Sequence, residues 1–152
     1  MESALAPDFA AQAGAPRWWI ALSGGVDSVV LLDLMHRWLA RHQGPSLTAI
    51  HVHHGLQSGA DDWAALCQQH CDRYNIPLET HRVAITDVPT MGLEAAARAA
   101  RYGVFEALLS SNDILFQAHH LDDQAETLLL RLLRGAGPQG LSGIPVQRPL
   151  GK

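Results

Sequence analysis

Trp18-Trp19-Ile20-Ala21-Leu22 runs straight into Ser23-Gly24-Gly25-Val26-Asp27-Ser28, and the reading of this junction decides the fold. Five consecutive apolar residues closed by a turn signal read as a buried strand, Trp18 to Leu22. From Asp27 to His42 the period changes. Val30, Leu31, Leu34, Met35 and Trp38 recur at helical spacing until Gly44-Pro45 stops the pattern. Between strand and helix, Gly24 and Gly25 permit positive φ and let the backbone approach a ligand closely. A helix start offers N–H groups and partial positive charge, which suits phosphate. Ser23 and Ser28 add hydroxyls. Asp27 conflicts with phosphate unless it holds a cation, and Mg2+ shared between one carboxylate and phosphate oxygens removes the conflict. A plain Gly-Gly turn with a helix-stabilising Asp27 is the structural alternative; the whole hexapeptide at a strand–helix junction favours phosphate. Two other phosphate motifs fail. The P-loop needs a Gly-Lys-Ser/Thr, and Lys152 is the chain's one lysine. No Gly-x-Gly-x-x-Gly follows the strand.

Outward from the junction, strand-like and helix-like stretches alternate. Leu47–Val52 reads as a strand, His53–Gly59 as a loop, and Asp61–Tyr74 as a helix. Pro77–Ile85 and Ile114–Ala118 read as strands, Leu93–Ser110 and Leu121–Arg134 as helices, and Gly135–Gly143 as a glycine-rich loop. The first sixteen residues read as a loose leader, and 17–152 as one catalytic, nucleotide-binding domain. The order βαβαβαβα predicts an α/β fold: a doubly wound parallel sheet of about five strands with helices on both faces. The fourth strand is expected beside the first. Ligands of such sheets bind at the carboxyl ends of the strands, where the strand order reverses. The glycine loop, the His51 block and the His119 block each fall immediately after a predicted strand.

Composition narrows the class. The chain has 152 residues and net charge −4, with a pI near 6.1. That balance argues against tight polyanion binding by this piece alone. Arg131, Arg134, Arg148 and Lys152 nevertheless gather toward the C-terminal end. No apolar run reaches the ~20 residues of a membrane span. No basic-then-apolar export signal opens the chain, and two cysteines form no disulfide framework, so a cytoplasmic site without membrane association is the expectation.

Three further blocks and one cysteine pair are candidates for chemistry. His51-Val52-His53-His54-Gly55-Leu56 ends the second strand, where solvated histidines are the ordinary reading and zinc lacks a third ligand nearby. Cys67 and Cys71 stand four apart on a helix and read as buried structural thiols. Glu94-Ala-Ala-Ala-Arg98-Ala-Ala-Arg101-Tyr102 opens the third helix. An ion-paired surface is its ordinary reading, and Arg101 is the stronger candidate for a phosphate contact. His119-His120-Leu121-Asp122-Asp123-Gln124-Ala125-Glu126-Thr127 places Asp123 and Glu126 on one helix face, where they repel and await a cation.

The hexapeptide Ser23–Ser28 resembles the pyrophosphate loop of the N-type ATP pyrophosphatases (PP-loop enzymes). The His51–Leu56, Glu94–Tyr102 and His119–Thr127 blocks resemble the tRNA(Ile)-lysidine synthases, as does the Arg131-Leu-Leu-Arg134-Gly135-Ala-Gly137 tail. The resemblance runs from about Trp19 to Leu150. It implies an adenine nucleotide alpha hydrolase-like, Rossmann-like fold and a carbon–nitrogen ligase. Such an enzyme adenylates the C2 oxygen of the wobble cytidine of tRNA(Ile), CAU anticodon, and lets free L-lysine displace AMP. By resemblance, Ser23, Gly24, Gly25, Val26, Asp27, Ser28, His51, Val52 and His119 meet ATP, with Mg2+ on Asp27. Asp123 and Glu126 hold the lysine amino groups. Asp27, Arg101, Asp123 and Glu126 form the catalytic set, and Arg98, Arg131 and Arg134 face tRNA. Further C-terminal tRNA-binding domains are expected beyond this chain. The family often has Arg where this chain has Gln57, which puts a phosphate or tRNA contact there in doubt. Two alternatives remain: a 2-thiocytidine-type thiolase or other relative with the same ATP chemistry, and a non-enzymatic adenine-nucleotide module. A homodimer is left open.

Overall fold

A computed structural model describes residues 2–55, 59–86, 88–118 and 149–150. Met1–Gln117 forms one compact unit; of the second, Ala118–Lys152, only three residues are described. Strand β1 (Arg17–Ala21) is interior to the sheet, because Trp18-Trp19-Ile20 is apolar on both pleat faces and fully buried. It pairs in parallel with β2 (Ser46–His53) on one side and with β4 (Ile114–Gln117) on the other. Strand β3 (Leu78–Arg82) lies outside β2, so the order is β3-β2-β1-β4, all parallel. The chain steps outward through three strands and then crosses back, which puts the switch point between β1 and β4. The fourth strand therefore lies beside the first, as expected. Four strands are present among the described residues, against about five expected; residues 119–148 are outside that set.

Helices cover both faces. On one face Trp18, Ile20, Leu22, Leu47 and Ala49 meet α1 (Glu2–Gln12), α2 (Val26–Arg41) and α3 (Ala60–Tyr74) in a single core with Phe9, Leu32, Met35, Cys67 and Cys71. On the other, α5 (Leu93–Leu108) buries Ala96 and Phe105. Its Tyr102 hydroxyl donates to Gln117 Oε1 at 3.2 Å, and Gln117 stands in register with Ala21. Both indole N–H groups of β1 are satisfied: Trp18 donates to the Gln12 carbonyl and Trp19 to Asp113 Oδ2. No helix among the described residues is long and apolar enough to cross a membrane.

The expected loose leader is corrected: residues 2–12 form α1. Its alanines favour helix, and Phe9 completes an aromatic cluster with Trp18, Trp38 and Phe116 at centroid distances of 5.7, 6.0 and 5.7 Å. One aromatic residue in an alanine-rich stretch gives no periodic signal, so its burial was not legible. A short helix α4 (Val88–Met91) was also not anticipated. Gly92, at φ +82, turns the chain from α4 into α5.

Candidate functional site

The carboxyl end of β1 opens onto the glycine loop at the switch point. Gly25 has no side chain with which to cap α2, and no side-chain cap hydrogen bond is made there. Instead the two serines brace the turn. The Gly25 N–H donates to Ser23 Oγ at 3.2 Å, and Ser28 Oγ lies 2.8 Å from the Gly25 carbonyl and 3.1 Å from Ser23 Oγ. A carbonyl only accepts, so the Ser28 proton goes to Gly25 and Ser23 donates to Ser28. The hydroxyls thus hold the loop in shape, with Ser28 buried while Ser23, Val26 and Asp27 are exposed at the helix start.

Gly24 adopts φ +88, outside the comfortable range of any residue with a Cβ. A Cβ there would stand 2.8 Å from Trp63 Cε3 and 3.4 Å from Cys67 Sγ, so the loop backbone lies directly against α3. Trp63 is 43% exposed, whereas Trp18, Trp19 and Trp38 are buried. Sequence reasoning missed Trp63 as part of this site. The contact joins residues 24 and 63, and no local pattern announces it.

His51 and His53 point to the α3 side of β2, and both are buried. His51 Nδ1 lies 2.8 Å from the Leu22 carbonyl, which fixes the proton on Nδ1 and leaves Nε2 an acceptor in the neutral ring. Burial pushes His51 below the ordinary histidine range, and nearby His53 adds to this against the Leu22 bond. The imidazole therefore acts as a neutral strut between the ends of β1 and β2. Val52 faces the other side and is half-buried. His53 Nε2 stands 3.2 Å from Asp61 Oδ1 without hydrogen-bond alignment. Asp61 also bonds Arg82, whose hydrogen bond and charge hold the Asp61 carboxyl below its usual range. These contacts tie β2 and β3 to the start of α3, behind the loop.

On the opposite face, the N-terminal half of α5 lies toward the carboxyl ends of the strands, fixed by the Tyr102–Gln117 bond. Arg98 is exposed, with its guanidinium 5.1 Å from the Tyr102 ring centroid. Arg101 is half-buried, its Nε without a hydrogen-bond partner, and burial pushes its ordinarily very high pKa down. His54 is the first residue past β2 and lies within electrostatic reach of Arg101. His54 Nδ1 is also buried without a partner.

A family model described as a PP-loop domain matches residues 2–152. The chain belongs to the PP-loop domain family. It is 52% identical over 138 residues to a tRNA(Ile)-lysidine synthase of Pseudomonas putida, covering 91% of this chain and 32% of that protein. It is 51% identical over 152 residues to the tRNA(Ile)-lysidine synthase of Pseudomonas aeruginosa, covering 99% of this chain and 34% of the relative. The chain thus spans about a third of the length of the curated relatives it matches. Among solved structures, it resembles the U34-tRNA thiolase NcsA from Methanococcus maripaludis with its 4Fe-4S cluster. The TM-score is 0.72 at 20% identity, over 90% of this chain and 52% of that one. That likeness concerns the fold.

Of the residues expected at the site, the PP-loop domain brings Ser23 to Ser28 and His51 together around the ends of β1 and β2, with Arg101 on the α5 side. His119, Asp123, Glu126, Arg131, Arg134, Arg148, Gln57 and the Gly135–Gly143 loop lie outside the described residues. Among the described residues no three His, Cys, Asp or Glu side chains gather as a metal cage.

Both thiols of this PP-loop domain are buried in the α3 core. Burial pushes Cys67 up to about 11, and burial with its neighbours Cys67 and Asp72 pushes Cys71 up to about 12. Neither is a thiolate near neutral pH, so neither is built for sulfur chemistry. Changing both to Ala is expected to cost about 1–3 kcal/mol through lost packing, by the transfer cost of a buried group plus a small cavity. Pyrophosphate release should be unaltered. Urea unfolding and a pyrophosphate assay check this; a stable double variant without turnover would return sulfur transfer to consideration.

Proposed function

We propose that this PP-loop domain is the catalytic part of a cytoplasmic tRNA(Ile)-lysidine synthase. The observation that carries the reading is the serine-braced glycine loop at the switch point between β1 and β4, built to receive pyrophosphate. Identity of about half to proteins named as these synthases supports the choice of substrate.

In this reading the C2 oxygen of the wobble cytidine attacks the α-phosphorus of ATP. A phosphorus–oxygen bond forms there as the bond to the β-phosphate oxygen breaks, and pyrophosphate leaves. The lysine amine then forms a bond to C2, AMP departs with the former C2 oxygen, and the amine gives up its proton to solvent. The protein contributes positioning and electrostatics and no covalent nucleophile. The loop holds the leaving pyrophosphate, Arg101 meets phosphate oxygens, and the β2 end at His51 and Val52 lies along adenine. His119 contributes to the same ATP site. Arg98, Arg131 and Arg134 face the RNA.

Asp27 fits Mg2+ as a single exposed carboxylate on the first turn of α2 beside the loop, a donor set suited to a hard cation completed by phosphate oxygens. When bound, Mg2+ neutralises charge on the departing pyrophosphate.

Asp123 and Glu126 hold the amino groups of free lysine. Their support is their spacing, three apart on a helical pattern that follows the strand paired with β1. Asp123→Asn and Glu126→Gln are each expected to weaken use of lysine about 10- to 100-fold, the worth of a charged hydrogen bond, with ATP affinity nearly unchanged. The deciding measurement is pyrophosphate release with and without L-lysine and a tRNA(Ile) transcript. Collapse of ATP affinity with normal lysine dependence would reassign the two carboxylates to the metal, and ATP cleavage indifferent to both substrates would end the synthase reading.

A further inference from the structure

His54 Nδ1, just past the end of β2, and Arg101 Nε, on α5, are buried polar atoms without partners. The large majority of buried side-chain polar atoms find a partner, so each of these orphans calls for a cause. Arg101 keeps its proton at any working pH and offers only donors, so its buried Nε–H needs an acceptor. Burial holds His54 below the ordinary histidine range, with Arg101 the next contributor, followed by His51 and His53. Among the described residues the charged groups bearing on His54 are Arg101 from α5 and His51 and His53 from β2; none of these is an anion. Arg98 adds further positive charge on the Arg101 side, and Asp61 is engaged with His53 and Arg82. Among the described residues no acceptor meets the Arg101 Nε–H, and His54 Nδ1, a donor in one of the two neutral tautomers, is likewise unmet.

Position defines the missing acceptor. Arg101 precedes Tyr102, which bonds Gln117, and Gln117 is in register with Ala21 two residues before Ser23. His54 follows the carboxyl end of β2, and Gly55 at φ +66 turns the chain away immediately after it. Both orphans therefore stand at the ligand-binding edge of the sheet. Arg101 is already a candidate phosphate ligand by resemblance; His54 has no assigned role.

We propose that His54 acts with Arg101 as a two-donor clamp on a phosphate oxyanion, the α-phosphate of the nucleotide whose β- and γ-phosphates occupy the glycine loop. This rests on the nucleotide-cleaving reading above. It answers a chemical need of that reaction: the loop grips the leaving group, while charge also develops on the non-bridging oxygens of the α-phosphorus, which need donors of their own. An RNA phosphodiester offers the same oxyanion chemistry, and the test separates the two sources.

The measurement is equilibrium binding of adenosine, AMP and a short single-stranded oligoribonucleotide to the 152-residue chain and to His54→Ala and His54→Gln, with circular dichroism confirming the fold. The wild-type chain should prefer AMP to adenosine. His54→Ala should lose about 10- to 100-fold in AMP affinity, as for a hydrogen bond to a charged group, with adenosine unchanged. His54→Gln, whose amide can donate, should keep most of the AMP affinity. If His54→Ala weakens the oligoribonucleotide and spares AMP, the clamp stands and its oxyanion comes from RNA. An unaltered AMP preference in folded His54→Ala, or an equal loss for AMP and adenosine, overturns the clamp and leaves the nucleotide site standing. A wild-type chain that binds neither nucleoside nor nucleotide overturns the function proposed above and this clamp together.

Discussion

Gly24→Ala is expected to reduce pyrophosphate release at least about a hundredfold, because the new methyl group breaks the loop that positions the leaving group. Two costs coincide at this residue. Its φ of +88 strains any side chain, by about 1–2 kcal/mol. The Cβ would also stand 2.8 Å from Cε3 of Trp63, a rigid ring atom that cannot swing aside like the end of a flexible chain. Overpacking of that kind costs about 1–3 kcal/mol. The loop must move, and with it the Ser23–Gly25–Ser28 hydrogen bonds that shape it. Urea unfolding should register the loss of stability, and AMP-tracked ATP cleavage the loss of turnover. A second variant separates the two costs. Gly24→Ala combined with Trp63→Ala removes the collision but keeps the strained φ, so it should recover part of the stability. Full activity in Gly24→Ala would show that the loop conformation is not what receives phosphate.

Asp27→Ala is the complementary case, in which the fold survives and the chemistry fails. Asp27 is exposed on the first turn of α2, so its loss costs about 0.3–1 kcal/mol of favourable interaction with the helix terminus. ATP cleavage should fall by about a hundredfold or more, the scale seen when a preorganised group at developing charge is removed. Raising Mg2+ should restore little, because the carboxylate that orients the ion is gone. A folded Asp27→Ala chain that releases pyrophosphate at the normal rate would remove the cation from this position.

The two predictions rest on unequal kinds of legibility. The β1–α2 junction was readable because its period changes abruptly from a continuous apolar run to helical spacing; the observed bounds, Arg17–Ala21 and Val26–Arg41, lie within a residue of those expected. β4 beside β1 followed from the ordering rules of wound sheets. α1 was not readable, because Phe9 and the indole of Trp18 contribute to a helix only through a core that exists in three dimensions. α4 spans four residues and is too short to show a period. At the site, residue types were legible and juxtapositions were not. Gly24 announced a turn but not Trp63 behind it, and the His51–Leu56 block announced a strand end but not that His54 is left without a partner. Arg98 read as an exposed cation, but the Tyr102 ring beneath its guanidinium was not announced.

The placement of β4 has a kinetic consequence. On one side β1 meets β2, which follows it closely in sequence; on the other it meets a strand almost a hundred residues downstream, and the Trp19–Asp113 hydrogen bond closes an interval of 94 residues. Contacts of such long range are slow to form, since loop-closure entropy is lost before the pairing repays it. As the chain leaves the ribosome, α1, α2 and the β1–β2–β3 half of the sheet can assemble while β1 still presents an open edge. Only after Gln117 emerges does the switch point exist. The glycine loop is thus written well ahead of β4 but becomes a site only with it, and a nascent chain that has not reached Gln117 carries the loop without the cleft that gives it function.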